Sequence, residues 1–231
     1  IVVDQWRGEA MPVLGHSCLR TPNLDALCAD GVTFCNHFTQ AAPCGPGRAS
    51  LLTGQYMMNH RVVQNSVPLD ARHTNLAFEV RTHGYQPALV GYMTSTPDPR
   101  VTAASDPRFK TLGANMPGWR SVGSWEPDKK PYFNWLRAKG YPVPERPLDI
   151  WLPQDDDAAP GATQSASRIP QELSDTTWAT ECALEYLRGP ESDPWFLHLG
   201  YYRPHPPFIA PAPYNAHYDP AEVPAPVRAA S

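Results

Sequence analysis

Apolar positions along this chain fall into short runs, separated by stretches that carry helix start and stop signals. The first run, 1–3, ends on Asp4 as a buried parallel strand does. Thr21-Pro22 then offers an N-cap and a first-turn proline, Leu24 and Leu27 an apolar face and Gly31 a stop, which predicts a helix. Positions 32–38 alternate apolar and polar as a strand would. A helix is predicted from Cys44 to its stop at Gly54, and another from a Thr74 cap through Val80 to Gly84. The run 88–91 reads as a strand, 176–187 as a helix with Gly189 past its end, and 195–199 as a further buried strand.

Strands separated by helices imply right-handed crossovers and an α/β fold: a mostly parallel sheet with helices on both faces. In such sheets the working residues gather at the carboxyl ends of strands. Asp4, Tyr92, Thr94 and His205 all fall just past predicted ends. Between 98 and about 170 the alternation stops, and Trp119, Trp125, Trp135, Trp151, many prolines and Asp155-Asp156-Asp157 dominate. A structureless loop of that length does not suit a compact domain. The stretch is expected to be an excursion with one helix at 132–139, packed over the site or against another subunit. The acidic run reads as a solvated loop, since the glycine and distal glutamate of an EF-hand are absent.

The chain has 231 residues, 42% of them hydrophobic, which suits one large domain spanning 1–231 with a sizeable core. Its 28 prolines are more than twice the usual share of about 5%. With 19 basic and 23 acidic residues, it does not carry the positive field of a nucleic-acid binder. No apolar stretch approaches the roughly 18 residues of a membrane span, so neither nucleic acid nor membrane is expected as a partner. The opening Ile1-Val2-Val3-Asp4 reads as mid-strand, and a native start upstream is expected.

The five cysteines, Cys18, Cys28, Cys35, Cys44 and Cys182, form no disulfide ladder. This fits a reducing compartment, so a cytoplasmic location is expected. Four of them lie near His16 and His37, but no C-x-x-C or H-x-x-x-H spacing closes a zinc chelate. Cys28 and Cys35 sit among apolar neighbours and read as small core residues.

Cys44-Gly45-Pro46-Gly47-Arg48 carries the sharpest chemistry. It places a thiol at the positive end of a helix with a guanidinium one turn away, so a ligand bound there should be anionic. Arg48 could clamp an anionic oxygen or pair with a surface carboxylate. Asp4 and Gln5 offer two oxygen ligands to a hard divalent cation, although an isolated aspartate more often caps a turn. His205, held between prolines, suits proton transfer to a leaving group. Each reading is weak alone; together they specify a metal, an anion-binding helix terminus, a nucleophile and an acid.

The run Cys44 to Gly54 matches the sulfatase signature. With Val2-Val3-Asp4-Gln5-Trp6-Arg7-Gly8, Thr21-Pro22-Asn23-Leu24-Asp25, Gly91-Tyr92-Met93-Thr94, Pro97-Asp98-Pro99-Arg100 and Phe196 through Phe208, the chain resembles the N-terminal half of a sulfatase-superfamily enzyme with the alkaline-phosphatase-like fold. Among its branches it is most similar to the phosphonate monoester hydrolases, which act on phosphonate monoesters, phosphodiesters and sulfate esters. The resemblance implies that Cys44 is oxidised to formylglycine by dedicated machinery. The hydrated diol attacks phosphorus or sulfur with one hydroxyl, and the other allows release by C–O cleavage. It further implies that Asp4, Gln5 and the modified Cys44 hold one divalent ion, calcium or manganese. Arg48 orients the formylglycine, Asn65, Tyr92 and Thr94 line the substrate pocket, and His205 assists the leaving group. The substrate is a small anionic ester, and a homo-oligomer is compatible with the family.

Gln5, where many sulfatases have a second aspartate, leans the reading toward phosphonate and phosphodiester substrates over an arylsulfatase proper. The family completes its site with an Asp-His or Asp-Asn pair and a lysine from the C-terminal half, and nothing up to Ser231 matches them. The expectation is therefore a chain that carries half a site, with a short metal shell, weak activity and part of its sheet exposed. Two readings of other classes stay open: a binding or structural remnant, and a thiol enzyme that uses Cys44 itself.

Overall fold

The computed structural model describes residues 1–111, 113–125, 128–155, 164–189 and 194–225. Its one named sheet holds β1 (Val2–Val3), β2 (Gln86–Gly91), β3 (Arg120–Ser124) and β4 (Trp195–Tyr201). They lie in the order β1-β4-β2-β3, all parallel. In β2 every residue after Gln86 is buried, which explains its continuous apolar run: both faces are covered. Leu89 packs with Leu52, Met93 and Met116 on one face. On the other, a Cβ on Gly123 would lie 2.7 Å from Cys182 Cβ and 3.7 Å from Val90 Cγ1. Leu52 belongs to helix α2 (Cys44–Thr53) and Cys182 to α6 (Asp175–Arg188), so helices cover both faces as the pattern predicts.

The remaining helices are α1 (Pro22–Asp30), α3 (Met57–His60), α4 (Leu76–Thr82) and α5 (Lys130–Ala138). The described residues divide into two units. One is drawn from Ile1–Gln5, Thr39–Pro147 and Glu172–Pro204, the other from Trp6–Phe38, Leu148–Gln171 and His205–Ser231. The first holds the sheet and α2 to α6; the second holds α1.

Several expectations need correction. Residues 32–38 form no strand. Val32 and Phe34 are 83% and 75% exposed, because alternation produces a strand only where a neighbouring edge accepts its hydrogen bonds. Cys35, read as a core residue, is exposed. Helix α1 forms where predicted, yet no residue of it is buried. Asn75, not Thr74, caps α4: its side-chain oxygen accepts the Ala77 amide at 2.9 Å.

The stretch from 98 to 170 supplies β3, which the pattern did not predict, and the one helix expected there, at 132–139, forms as α5. Helix α5 packs on β3 and α6. Tyr132 of α5 stacks on Trp125 at 5.6 Å and lies 5.5 Å from Trp178. Asp156 and Asp157 of the acidic run lie outside the described residues.

Candidate active site

Backbone hydrogen bonds carry the parallel ladder one step beyond the strands. The Asp4 amide donates to the Tyr201 carbonyl (3.0 Å), Tyr92 to Gly200 (2.7 Å) and Trp125 to Gly91 (2.9 Å). Asp4, Tyr92 and Trp125 therefore leave the sheet from fixed points at its carboxyl edge, where ligands bind in open α/β sheets. The approach is very close at Gly91 and Gly200, which are register partners. A Cβ on Gly91 would sit 2.1 Å from the Gly200 oxygen, and Gly91 has φ +78°.

Helix α2 begins at Cys44 after Pro43, which offers no side-chain cap. Asn65 supplies the missing acceptor from another segment. Its Oδ1 accepts the Gly45 amide at 2.8 Å and the Cys44 thiol at 3.3 Å, so one of the helix's orphan amides is satisfied and the thiol is oriented together.

One turn later, Arg48 Nη2 lies 3.0 Å from Asp4 Oδ1, with both side chains nearly fully buried. The guanidinium carbon stands 4.4 Å from the centre of the Tyr92 ring, a cation–π distance. Arg48 thus pairs with a carboxylate, but a buried one at the strand edge rather than a surface one.

Burial leaves several polar atoms here without hydrogen-bond partners: Asp4 Oδ2, Arg48 Nε and Nη1, and His198 Nε2. Buried polar atoms are ordinarily paired, and each unpaired one is costly. Several of them lie on Asp4 and Arg48, the two partners of one buried ion pair. Thr94 lines a water-sized void with Gly45, Val62 and Met116. Burial pushes the Tyr92 phenol well above its ordinary value, so it remains a neutral O–H.

An aromatic stack backs the site. Tyr92 meets Tyr202 edge-on at 5.0 Å, and Tyr202 stacks on Trp125 at 5.5 Å. Arg203 lies over Tyr202 and reaches Asp175 at 3.4 Å. Burial pushes the Asp175 carboxyl upward, with Arg203 opposing. Sequence reasoning gave no role to Tyr202, Trp125 or His198; Tyr202 directly follows β4 as Tyr92 follows β2, whereas Trp125 follows β3, which the apolar pattern did not reveal.

Of the sequence candidates, Asp4, Cys44, Arg48, Asn65, Tyr92 and Thr94 belong to the sheet-bearing unit and converge as described. Gln5 belongs to it too, exposed and with φ 57°. His205 belongs to the other unit, where its Nδ1 lies 2.9 Å from the Pro206 carbonyl. Among the described residues no group of three or more His, Cys, Asp or Glu is placed to hold a metal. The unpartnered Asp4 Oδ2 nevertheless suits a hard cation, which prefers carboxylate oxygen.

A parallel sheet whose carboxyl edge joins a helix-terminal thiol to a buried arginine–carboxylate pair is the architecture of an alkaline-phosphatase-like α/β protein. The chain belongs to the sulfatase family, whose model matches residues 1–225. It is 58% identical over 234 residues to the multifunctional alkaline phosphatase superfamily protein PehA of Trinickia caryophylli, covering 99% of this chain and 46% of that protein. The fold is similar to the phosphonate monoester hydrolase of Agrobacterium radiobacter, with TM-score 0.90 and 41% identity over 99% of this chain and 45% of that one. Phosphonate monoester hydrolase SpPMH from Silicibacter pomeroyi gives 0.87 and 38%, over 100% and 46%. The chain spans about half the length of the curated relatives it matches. Sulfatases as a family use a formylglycine and a divalent metal.

Proposed function

We propose that the protein is a metal-dependent hydrolase of phosphonate monoesters, phosphodiesters and sulfate esters, with Cys44 as the residue converted to formylglycine. One observation carries the reading: the Cys44 side chain sits at the amino end of α2, held by Asn65, on the helix that one turn later carries Arg48 buried against Asp4. Similarity to two phosphonate monoester hydrolases and the amide at Gln5 favour phosphonate and phosphodiester substrates over those of an arylsulfatase proper.

Each side chain has a task that its surroundings support. Asn65 orients the nucleophile-bearing group through its Oδ1. Arg48, held by Asp4 and the Tyr92 ring, keeps a fixed positive charge one helical turn from Cys44, and its Nε and Nη1 face no protein acceptor. Fixed donors of this kind stabilise developing negative charge without reorganisation. Tyr92 and Thr94 bring neutral hydroxyls to the substrate oxygens. Asp4 Oδ2, Gln5 and the modified Cys44 would hold a divalent ion, calcium or manganese, which supplies Lewis-acid polarisation of the ester. Five unpaired thiols support a reducing, cytoplasmic setting.

The test uses full-length protein expressed with formylglycine-generating machinery and assayed on an aryl phosphonate monoester, a phosphodiester and an aryl sulfate. Intact mass should show the defined loss for oxidation of Cys44, and Cys44→Ser without conversion should abolish turnover of all three esters. Full activity in that variant would sink both the formylglycine and the thiol mechanisms. Conversion with turnover of the sulfate alone would make the protein an arylsulfatase proper.

A further inference from the structure

His60 ends α3 at 2% exposure. Its Nδ1 is 3.1 Å from the Val62 amide, which can only donate, so Nδ1 accepts. Burial lowers the His60 pKa, so the ring is neutral and its proton sits on Nε2. That proton is donated to Ser50 Oγ, buried on α2, at 2.9 Å. After His60 the chain turns through Arg61, with φ 59°, and returns along the helix to Asn65.

Segment 60–65 is therefore fastened to α2 at two places. His60 holds it at Ser50, and Asn65 holds it at Gly45 and Cys44. Ser50 lies five residues beyond Gly45, about 7.5 Å along the helix axis. The contact at the second place is tight: a Cβ on Gly45 would lie 2.9 Å from Asn65 Oδ1 and 3.3 Å from Asn65 Cα. Asn65 itself is exposed. An exposed loop amide samples several orientations unless its backbone is pinned nearby.

We propose that Ser50 and His60 are positioning residues for Cys44: their buried hydrogen bond fixes segment 60–65 so that Asn65 Oδ1 meets the helix terminus and orients the side chain there. The inference rests on the reading of Cys44 as the reactive residue, but its test needs no turnover.

Full-length protein is produced without the oxidising machinery, so that Cys44 stays a thiol. Its alkylation by iodoacetamide is followed at one fixed pH by peptide mass, with Cys182 as internal reference. Loss of the acceptor that holds the neutral thiol should raise the Cys44 rate about two- to fivefold in Asn65→Ala. Ser50→Ala should raise it in the same direction, and Ser50→Ala/Asn65→Ala should match Asn65→Ala alone, because both act through one bond. His60→Gln should resemble Ser50→Ala; if it fails to fold, Ser50→Ala carries the test. A lower melting temperature in Ser50→Ala with an unchanged Cys44 rate overturns the proposal. So do multiplying effects in the double variant, or no change in Asn65→Ala.

Discussion

Replacing Gly91 by alanine tests whether the sheet centre sets the positions of the site residues. Two costs can be separated at this position. The first is conformational: φ +78° lies where a side chain costs about 1–2 kcal/mol. The second is steric, because the new methyl would lie 2.1 Å from the Gly200 oxygen, a backbone atom of the central register partner. The strands must part by more than 1 Å to reach ordinary contact at about 3.4 Å or beyond. Overpacking of this kind adds about 1–3 kcal/mol, and here the Tyr92–Gly200 hydrogen bond at 2.7 Å opposes the shift.

The sum is about 2–5 kcal/mol, a fall of about 4–20 °C in Tm for a domain of this size. Gly54→Ala is the matched control: it has φ +68° with nothing within 4 Å, so only the conformational cost of about 1–2 kcal/mol applies. Thermal melts followed by circular dichroism give both values. The near-ultraviolet signal of Tyr92, Tyr202 and Trp125 should change in Gly91→Ala alone, since Tyr92 is the next residue. If Gly91→Ala melts within about 2 °C of Gly54→Ala with an unaltered near-ultraviolet spectrum, the close approach does not govern the site and the reasoning fails.

Asp4→Asn leaves Arg48 buried with the Tyr92 ring but no anion. It should cost about 3–5 kcal/mol, read as a lower urea midpoint at unchanged slope; a loss below about 1 kcal/mol would match an exposed pair instead. His198 should make stability fall on acidification. Burial above all, with Arg48 acting in the same direction, lowers its pKa from 6.5 to about 4, so between those values the unfolded chain binds the extra proton. Its stabilising contribution is complete above about pH 6.5 and is lost as pH falls toward 4. Urea midpoints across this range should slope less in His198→Gln than in the parent, and equal slopes would refute the assignment.

How much of this was legible in the sequence depends on the range of each interaction. Strands buried on both faces announced themselves: β2 and β4 are apolar runs because helices lie above and below them. Strand β3 did not, since Arg-Ser-Val-Gly-Ser lies at the sheet edge with one paired side, and Gly123 is small because Cys182 presses on it. The converse error occurred at 32–38, where alternation was present without an edge to pair with.

The site divides in the same way. Cys44 and Arg48 lie one turn apart on a single helix, so their proximity is a matter of helical geometry and could be read directly. The pairing of Arg48 with Asp4 could not, although both residues stood out, because it depends on β1 lying beside β4 and on α2 covering the sheet. The cap on α2 shows the limit most clearly. Local rules look for the acceptor at the residue before the helix, and Pro43 has none to offer. The acceptor comes from Asn65, twenty residues beyond Gly45, and in the sequence it was visible only through family resemblance. What local rules could not supply was the segment that returns Asn65 to the helix, and that segment is held by a histidine and a serine which no pattern had singled out.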